Sequence, residues 1–144
     1  MKKIIALSTL MLILITGCKI NVINNIRVDA AVAFEILKQD AYGGRDTEST
    51  VIIKSQDELN KLYKELGWSD VPKIEFTQNN VVALFMGEKR TGGYSIGVKK
   101  VSINDDTVTI KVLKTKPEGM ATMAISAPYC IVVVPKADKV IVEE

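Results

Sequence analysis

The sequence predicts an α+β fold: a β-rich, mostly antiparallel sheet or sandwich-like domain with one amphipathic helix at about residues 55–66. Three observations point there. Apolar runs of strand length recur at residues 81–86 and 129–134. A 3.6-residue apolar period occurs once, after Ser55. Turn-forming residues such as Gly43-Gly44 and Asn104-Asp105-Asp106 punctuate the remainder.

Residues 34–39 and 50–54 read as strands joined through Tyr42-Gly43-Gly44-Arg45-Asp46. The helix has a start, a stripe and a stop. Ser55 and Glu58 stand at the two ends of a capping box. Leu59, Leu62, Tyr63 and Leu66 share one face. Asp57 with Lys61, and Lys61 with Glu65, sit four apart on the other side, and Gly67 suits a left-handed stop. Residues 81–86 form a continuous apolar run, as in a central strand covered on both faces. Tyr94, Ile96 and Val98 alternate out of phase with Val101 and Ile103, which one bulge near Lys99-Lys100 would reconcile. Asn104-Asp105-Asp106 then turns the chain into alternating Val108, Ile110 and Val112. Residues 114–127 form a long connection with Pro117, Gly119, Met120 and Met123; Pro128 and Pro135 bracket the next strand, and residues 140–142 form the last.

The first residues belong to a different class. Lys2 and Lys3 precede the apolar residues 4–15, and Thr16-Gly17 precedes Cys18. That order is a secretory signal, too short for a membrane span. Ile15-Thr16-Gly17-Cys18 resembles a lipobox, which implies a diacylglyceryl group, with acyl chains such as palmitate, on Cys18 and cleavage before it. An ordinary cleaved signal or an uncleaved anchor is the alternative. The expected organisation is a lipoprotein signal peptide at 1–17, a lipid-anchored tether at 18–32 and a domain at 33–144, with a short helix or first strand within residues 20–33 left open. This puts the protein in the bacterial cell envelope, membrane-tethered and facing the extracytoplasmic side.

Without Lys2 and Lys3 the 19 basic residues fall to 17, equal to the 17 acidic ones. A neutral domain with no basic tract offers nucleic acid no electrostatic footprint. The 144 residues contain no histidine, which removes the commonest general base, nucleophile partner and metal ligand. With Cys18 acylated, Cys130 has no cysteine to pair with and reads as a small buried apolar residue. Asp40, Asp46 and Glu48 around Gly43-Gly44 come nearest to an ion site but lack the alternation of a calcium loop. The sequence thus implies no catalytic residue, no metal and no cofactor.

Gly87-Glu88-Lys89-Arg90-Thr91-Gly92-Gly93-Tyr94 is the one place where glycines, cations, a hydroxyl and an aromatic crowd together between strands. It lacks phosphate-loop spacing and leads into a strand, not a helix. Its residues favour a tight exposed turn, with positive φ available at Gly92 and Gly93, as hairpins demand. Arg90 and Tyr94 are types that anchor partners, so Lys89, Arg90, Thr91, Gly92, Gly93 and Tyr94 are the candidate partner-binding residues. The alternative is a plain hairpin with Tyr94 in the core and Lys89-Arg90 solvated.

Residues 85–96, followed by an apolar hairpin and the Pro128-Tyr129 strand ending at Pro135-Lys136, resemble the C-terminal domain of the PrcB-like family. The similarity runs from about Ser55 to the C-terminus, with Gly87, Arg90, Thr91, Gly92, Gly93 and Tyr94 as its most specific part. The chain has Lys89-Arg90-Thr91 where many members have Arg-Pro-Thr. The resemblance implies a non-catalytic surface lipoprotein that binds or stabilises an exported partner, such as the protease of a complex. Thr91-Gly92-Gly93-Tyr94 is also similar to the loop of chagasin-like peptidase inhibitors, which implies insertion into an active-site cleft instead.

Overall fold

The computed structural model describes residues 30–144. The expected signal peptide, Cys18 and the expected tether as far as residue 29 lie outside the described residues. The elements follow as β1 (Ala30–Val32), β2 (Glu35–Asp40), β3 (Glu48–Ile53), α1 (Gln56–Glu65), β4 (Asn79–Met86), β5 (Ser95–Asn104), β6 (Thr107–Thr115), β7 (Tyr129–Pro135) and β8 (Lys139–Glu143).

They build three layers. One sheet has the order β1-β5-β6-β8 and the other β2-β7-β4-β3. Every pairing is antiparallel except β6 with β8, which is parallel. The second sheet is the middle layer, and the pleat sorts its side chains. Val82, Leu84 and Met86 of β4, with Cys130, Val132 and Val134 of β7, pack against Ile96, Val101, Val108, Ile110 and Val112 of the first sheet. Val81, Ala83 and Phe85, with Tyr129 and Ile131, face Leu59, Leu62 and Tyr63 of α1. Two-sided covering explains why residues 81–86 and 129–134 are apolar without alternation. Each fully buried Val, Ile or Leu there stabilises the fold by about 1.5–3 kcal/mol relative to exposure.

Helix α1 starts where Ser55 accepts a bond from the Glu58 amide at 3.3 Å. Glu58 reaches back, but to the Lys54 amide at 2.7 Å, one residue before the capping-box partner. At the other end Gly67 has φ +70°, the Trp68 amide bonds Tyr63 O at 2.8 Å and the Gly67 amide bonds Lys64 O at 3.2 Å. This paired stop brings Trp68 edge-on to Tyr63, with centroids 5.3 Å apart. Glu65, set opposite Lys61 by helical spacing, is held instead by Arg45, whose Nε and Nη2 donate at 2.8 and 2.9 Å.

Strand β5 slips register on β6 between Val98 and Lys100, which reconciles the two out-of-phase apolar sets. Two sequence expectations change. Ala30, Ala31 and Val32 pair with Ile103, Ser102 and Val101, so the sheet begins ahead of residue 33 and the first-strand alternative describes these three residues. Residues 87–94 do not form a hairpin turn, because β4 and β5 lie in different sheets. The segment crosses from one layer to the other. Only Gly93 of the Gly92-Gly93 pair has positive φ, at +86°, and Gly87 takes φ +78° where the crossing leaves β4.

Candidate interaction surface

The strand registers give the sandwich two distinct poles. At one lie Ala30, the Asn104–Thr107 turn and the β7–β8 turn, where the Lys139 amide bonds Asp106 O at 3.1 Å. At the other lie the ends of β2 and β4, the starts of β3, β5 and β7, and the end of β6. Contacts between the sheets confirm that these termini share a pole: Gln39 Nε2 donates to Ile96 O at 2.8 Å, and Lys114 Nζ donates to Glu48 Oε1 at 2.5 Å. The crossing loop 87–94 therefore stands at the pole opposite the one where the chain enters β1.

A second connection, residues 116–128, lies along it as a strap. Lys89 and Ser126 form an isolated antiparallel bridge, with N–H to carbonyl bonds of 2.7 and 2.9 Å. The Gly92 amide donates to Thr122 O at 2.9 Å, and Ser126 Oγ donates to Thr91 O at 2.7 Å. Ser126 is buried, so its hydroxyl is satisfied inside the contact. The strap is tied on its other side too: Gly44 N–H donates to Ala127 O at 2.9 Å and Ala127 N–H to Ala41 O at 3.0 Å. Close approach explains two glycines of the crossing. A Cβ on Gly92 would sit 2.3 Å from Thr122 Oγ1, and one on Gly93 would sit 2.7 Å from Pro117 Cβ.

The six candidate residues divide between latch and surface. Gly92 is buried and Thr91 half-buried, both through the strap. Gly93 is exposed but pressed against Pro117. Tyr94 is half-buried, packed against the core between the sheets, with Lys89 Nζ 5.8 Å from its ring centroid. Arg90 is exposed, and no described residue pairs with its guanidinium. Of the six, Arg90 and the outer parts of Lys89 and Tyr94 are thus what the crossing presents outward, beside the exposed Glu88.

Sequence reasoning passed over the strap as a mere connection. Met120 is fully exposed, Met123 87% and Ile125 64% exposed, and Tyr42 is exposed too, its hydroxyl 3.5 Å from a Cβ placed on Gly92. The available signal was three large apolar side chains in six residues of a Gly- and Pro-containing segment with no period to bury them.

The displaced protonation equilibria belong to packing, ion pairs and, at Glu75, a hydrogen bond from Thr77. Burial pushes the Cys130 thiol up to about 11, away from thiolate chemistry at neutral pH. Burial, with the Asp40 charge second, pushes Tyr129 up to about 12. The hydrogen bond from Lys114 holds Glu48 below its ordinary 4.5, and Lys114 is raised, first by Glu144 and then by Glu48. Among the described residues no group of three or more His, Cys, Asp or Glu side chains is placed to hold a metal ion. A groove of about 560 Å³ beside β2, lined in part by Leu37, Lys38, Trp68 and Pro72, is bordered by none of the crossing or strap residues.

Residues 80–135 match the family model described as PrcB C-terminal. This segment is PrcB-like. The PrcB-like segment covers about two fifths of the chain, from β4 through β7, and contains both the crossing loop and the strap. Helix α1 and β8 fall outside it, so it is shorter than the resemblance that began at Ser55. Neither a curated protein nor a solved structure matches the chain.

Proposed function

We propose that this protein is a lipid-tethered, non-catalytic lipoprotein of the bacterial cell envelope, facing the extracytoplasmic side, that binds and stabilises an exported protein through the Lys89–Tyr94 crossing. The partner class favoured by PrcB-like character is a secreted protease. One observation carries the reading: the PrcB C-terminal match contains the crossing and the strap, and their pole lies opposite the one where the chain enters its first sheet. An anchor ahead of residue 30 would leave the loops facing away from the lipid. The domain spans the length of β5, about 30 Å at ~3.3 Å per residue.

Insertion of the crossing as an inhibitory finger is disfavoured by its latch. Thr91 and Gly92 lie against the strap instead of standing free. A stabilising subunit leaves the protease active, whereas an inhibitor silences it at a one-to-one ratio, so titrating protease activity with the purified chain separates the two.

Cross-linked purification of the tethered protein from its native membrane tests the interaction, with Arg90→Ala as the paired bait. Equal recovery of one defined partner by both baits would remove the crossing from the interface. Acyl-label incorporation tests the anchor: Cys18→Ser leaves the precursor unlabelled, and normal labelling of that variant would rule out Cys18.

A further inference from the structure

We infer that the strap is a docking knob that inserts Met120 and Met123, flanked by Ile125, into an apolar cleft on the protein partner. The inference rests on the reading that the loop pole binds a protein, and it adds the element and the chemistry of the contact.

Three apolar side chains this exposed on one short segment are unfavourable in water. Their exposure means that no other described residue covers them, so they project as a knob and cannot line a groove. A projecting apolar group is matched by a concave apolar surface. Methionine suits that role, because its unbranched thioether adapts to irregular clefts.

The backbone beneath is already ordered. Gly92 holds Thr122, Lys89 holds Ser126, and Ala41 and Gly44 hold Ala127. Most of the ordering cost of presenting the knob is therefore met on folding, not on binding. The strap is also bonded to the crossing on either side of Arg90, at Lys89 and Gly92, within the same PrcB-like segment, so knob and crossing stand on the same pole.

A lipid surface is the competing occupant, and two observations weigh against it. The strap lies at the pole away from Ala30, so a chain anchored ahead of that residue directs it away from its own membrane. Its surroundings also mix Lys89, Arg90 and Lys116 with Glu88 and Glu118, giving no single-sign field to hold an anionic leaflet.

Methionine oxidation by peroxide on the full lipidated chain, with photo-cross-linking, tests the proposal. Met86, buried at the foot of the crossing, is the internal control. In detergent-purified protein Met120 and Met123 should form sulfoxides faster than Met86 by about tenfold or more, as thioether access dictates. In the native envelope both should be protected several-fold. A photo-reactive residue at position 123 should cross-link to the same protein as one at position 90, at a peptide lining an apolar cleft. Position 107, at the far pole, should not.

Capture from position 90 with no capture from 123 and no protection of Met120 and Met123 would overturn the knob while leaving the proposed function standing. Failure at both positions would overturn both. Cross-links from position 123 to lipid, or protection by phosphatidylethanolamine–phosphatidylglycerol vesicles alone, would assign the knob to the membrane. Cross-links to a second copy would assign it to self-association. Slow Met86 oxidation in each variant shows that the fold is intact.

Discussion

The buried hydroxyl of Ser126 donates to the carbonyl of Thr91 at 2.7 Å, joining the strap to the crossing through a side chain. Ser126→Ala leaves that half-buried carbonyl short of its partner, which costs about 1–2 kcal/mol. Denaturant unfolding should show the loss as a lower midpoint at unchanged slope. Hydrogen exchange should quicken at the Lys89 and Gly92 amides, the two backbone donors that the crossing contributes to the same latch. Unchanged exchange there would mean the backbone bridge holds the loops without the hydroxyl.

Gly93 and Gly43 both take left-handed backbone, at φ +86° and +89°, yet their surroundings differ. A Cβ on Gly43 meets nothing within 4 Å, whereas one on Gly93 meets Pro117 Cβ at 2.7 Å. Gly43→Ala should therefore cost only the conformational penalty, about 1 kcal/mol. Gly93→Ala adds a collision with a ring that cannot rotate aside, for a total of about 2–4 kcal/mol. Paired thermal melts distinguish them, and equal shifts would show that the strap yields freely.

Much of the fold was legible because local chemistry and tertiary structure agree. The unbroken apolar run at 81–86 reads as a two-sided strand, and β4 is one. The phase break at Lys99 reads as a bulge, and the register slips there. Gly67 reads as a helix stop and takes positive φ. What failed depends on distant partners. Gly92-Gly93 looks the same in a hairpin and in a layer crossing; β4 pairing with β3 and β7 decides between them. Glu65 could have served Lys61, but a guanidinium 20 residues away offers two donors in a planar fork.

The candidate surface was legible only in part. Arg90 is outward, as its charge suggests. The glycines proved to be spacers for the strap. Met120 and Met123 would ordinarily be assigned to a core, so composition hid the most exposed apolar group of the described residues. Their placement follows from Gly92 and Ser126 holding the strap down, which no sequence period encodes.

Lys114 links the two sheets by pairing with Glu48 and also pairs with Glu144 just past β8 of its own sheet, and it predicts a pH dependence. Glu48 is depressed in the folded state, so its contribution is present above the ordinary value of 4.5 and is lost as pH falls through the lowered one. Lys114 is raised, so its contribution is present below 10.5 and is lost as pH rises through the raised value. Lys114→Met should therefore lower stability between these limits and flatten both flanks of the pH profile. Because both carboxylates are well exposed, the gain over the variant should shrink in 1 M salt. A salt-independent difference would point to packing of the Lys114 stem instead.

Arg90 and Tyr94 lie on one crossing, and substituting each separates recognition from folding. Arg90→Ala removes an exposed side chain with no described partner, so stability should stay within about 0.5 kcal/mol of the parent. Tyr94→Ala strips an aromatic from the edge of the core between the sheets and removes the ring beneath Lys89. It should destabilise the domain by about 2–3 kcal/mol, less than a fully buried aromatic because the ring is only half covered. Tyr94→Phe keeps the packing and should fold like the parent. In partner capture, Arg90→Ala should lose binding at full stability, while Tyr94→Phe reports whether the hydroxyl is part of the contact. Should Arg90→Ala melt early and still capture the partner, Arg90 would be a structural residue and the interface would lie elsewhere.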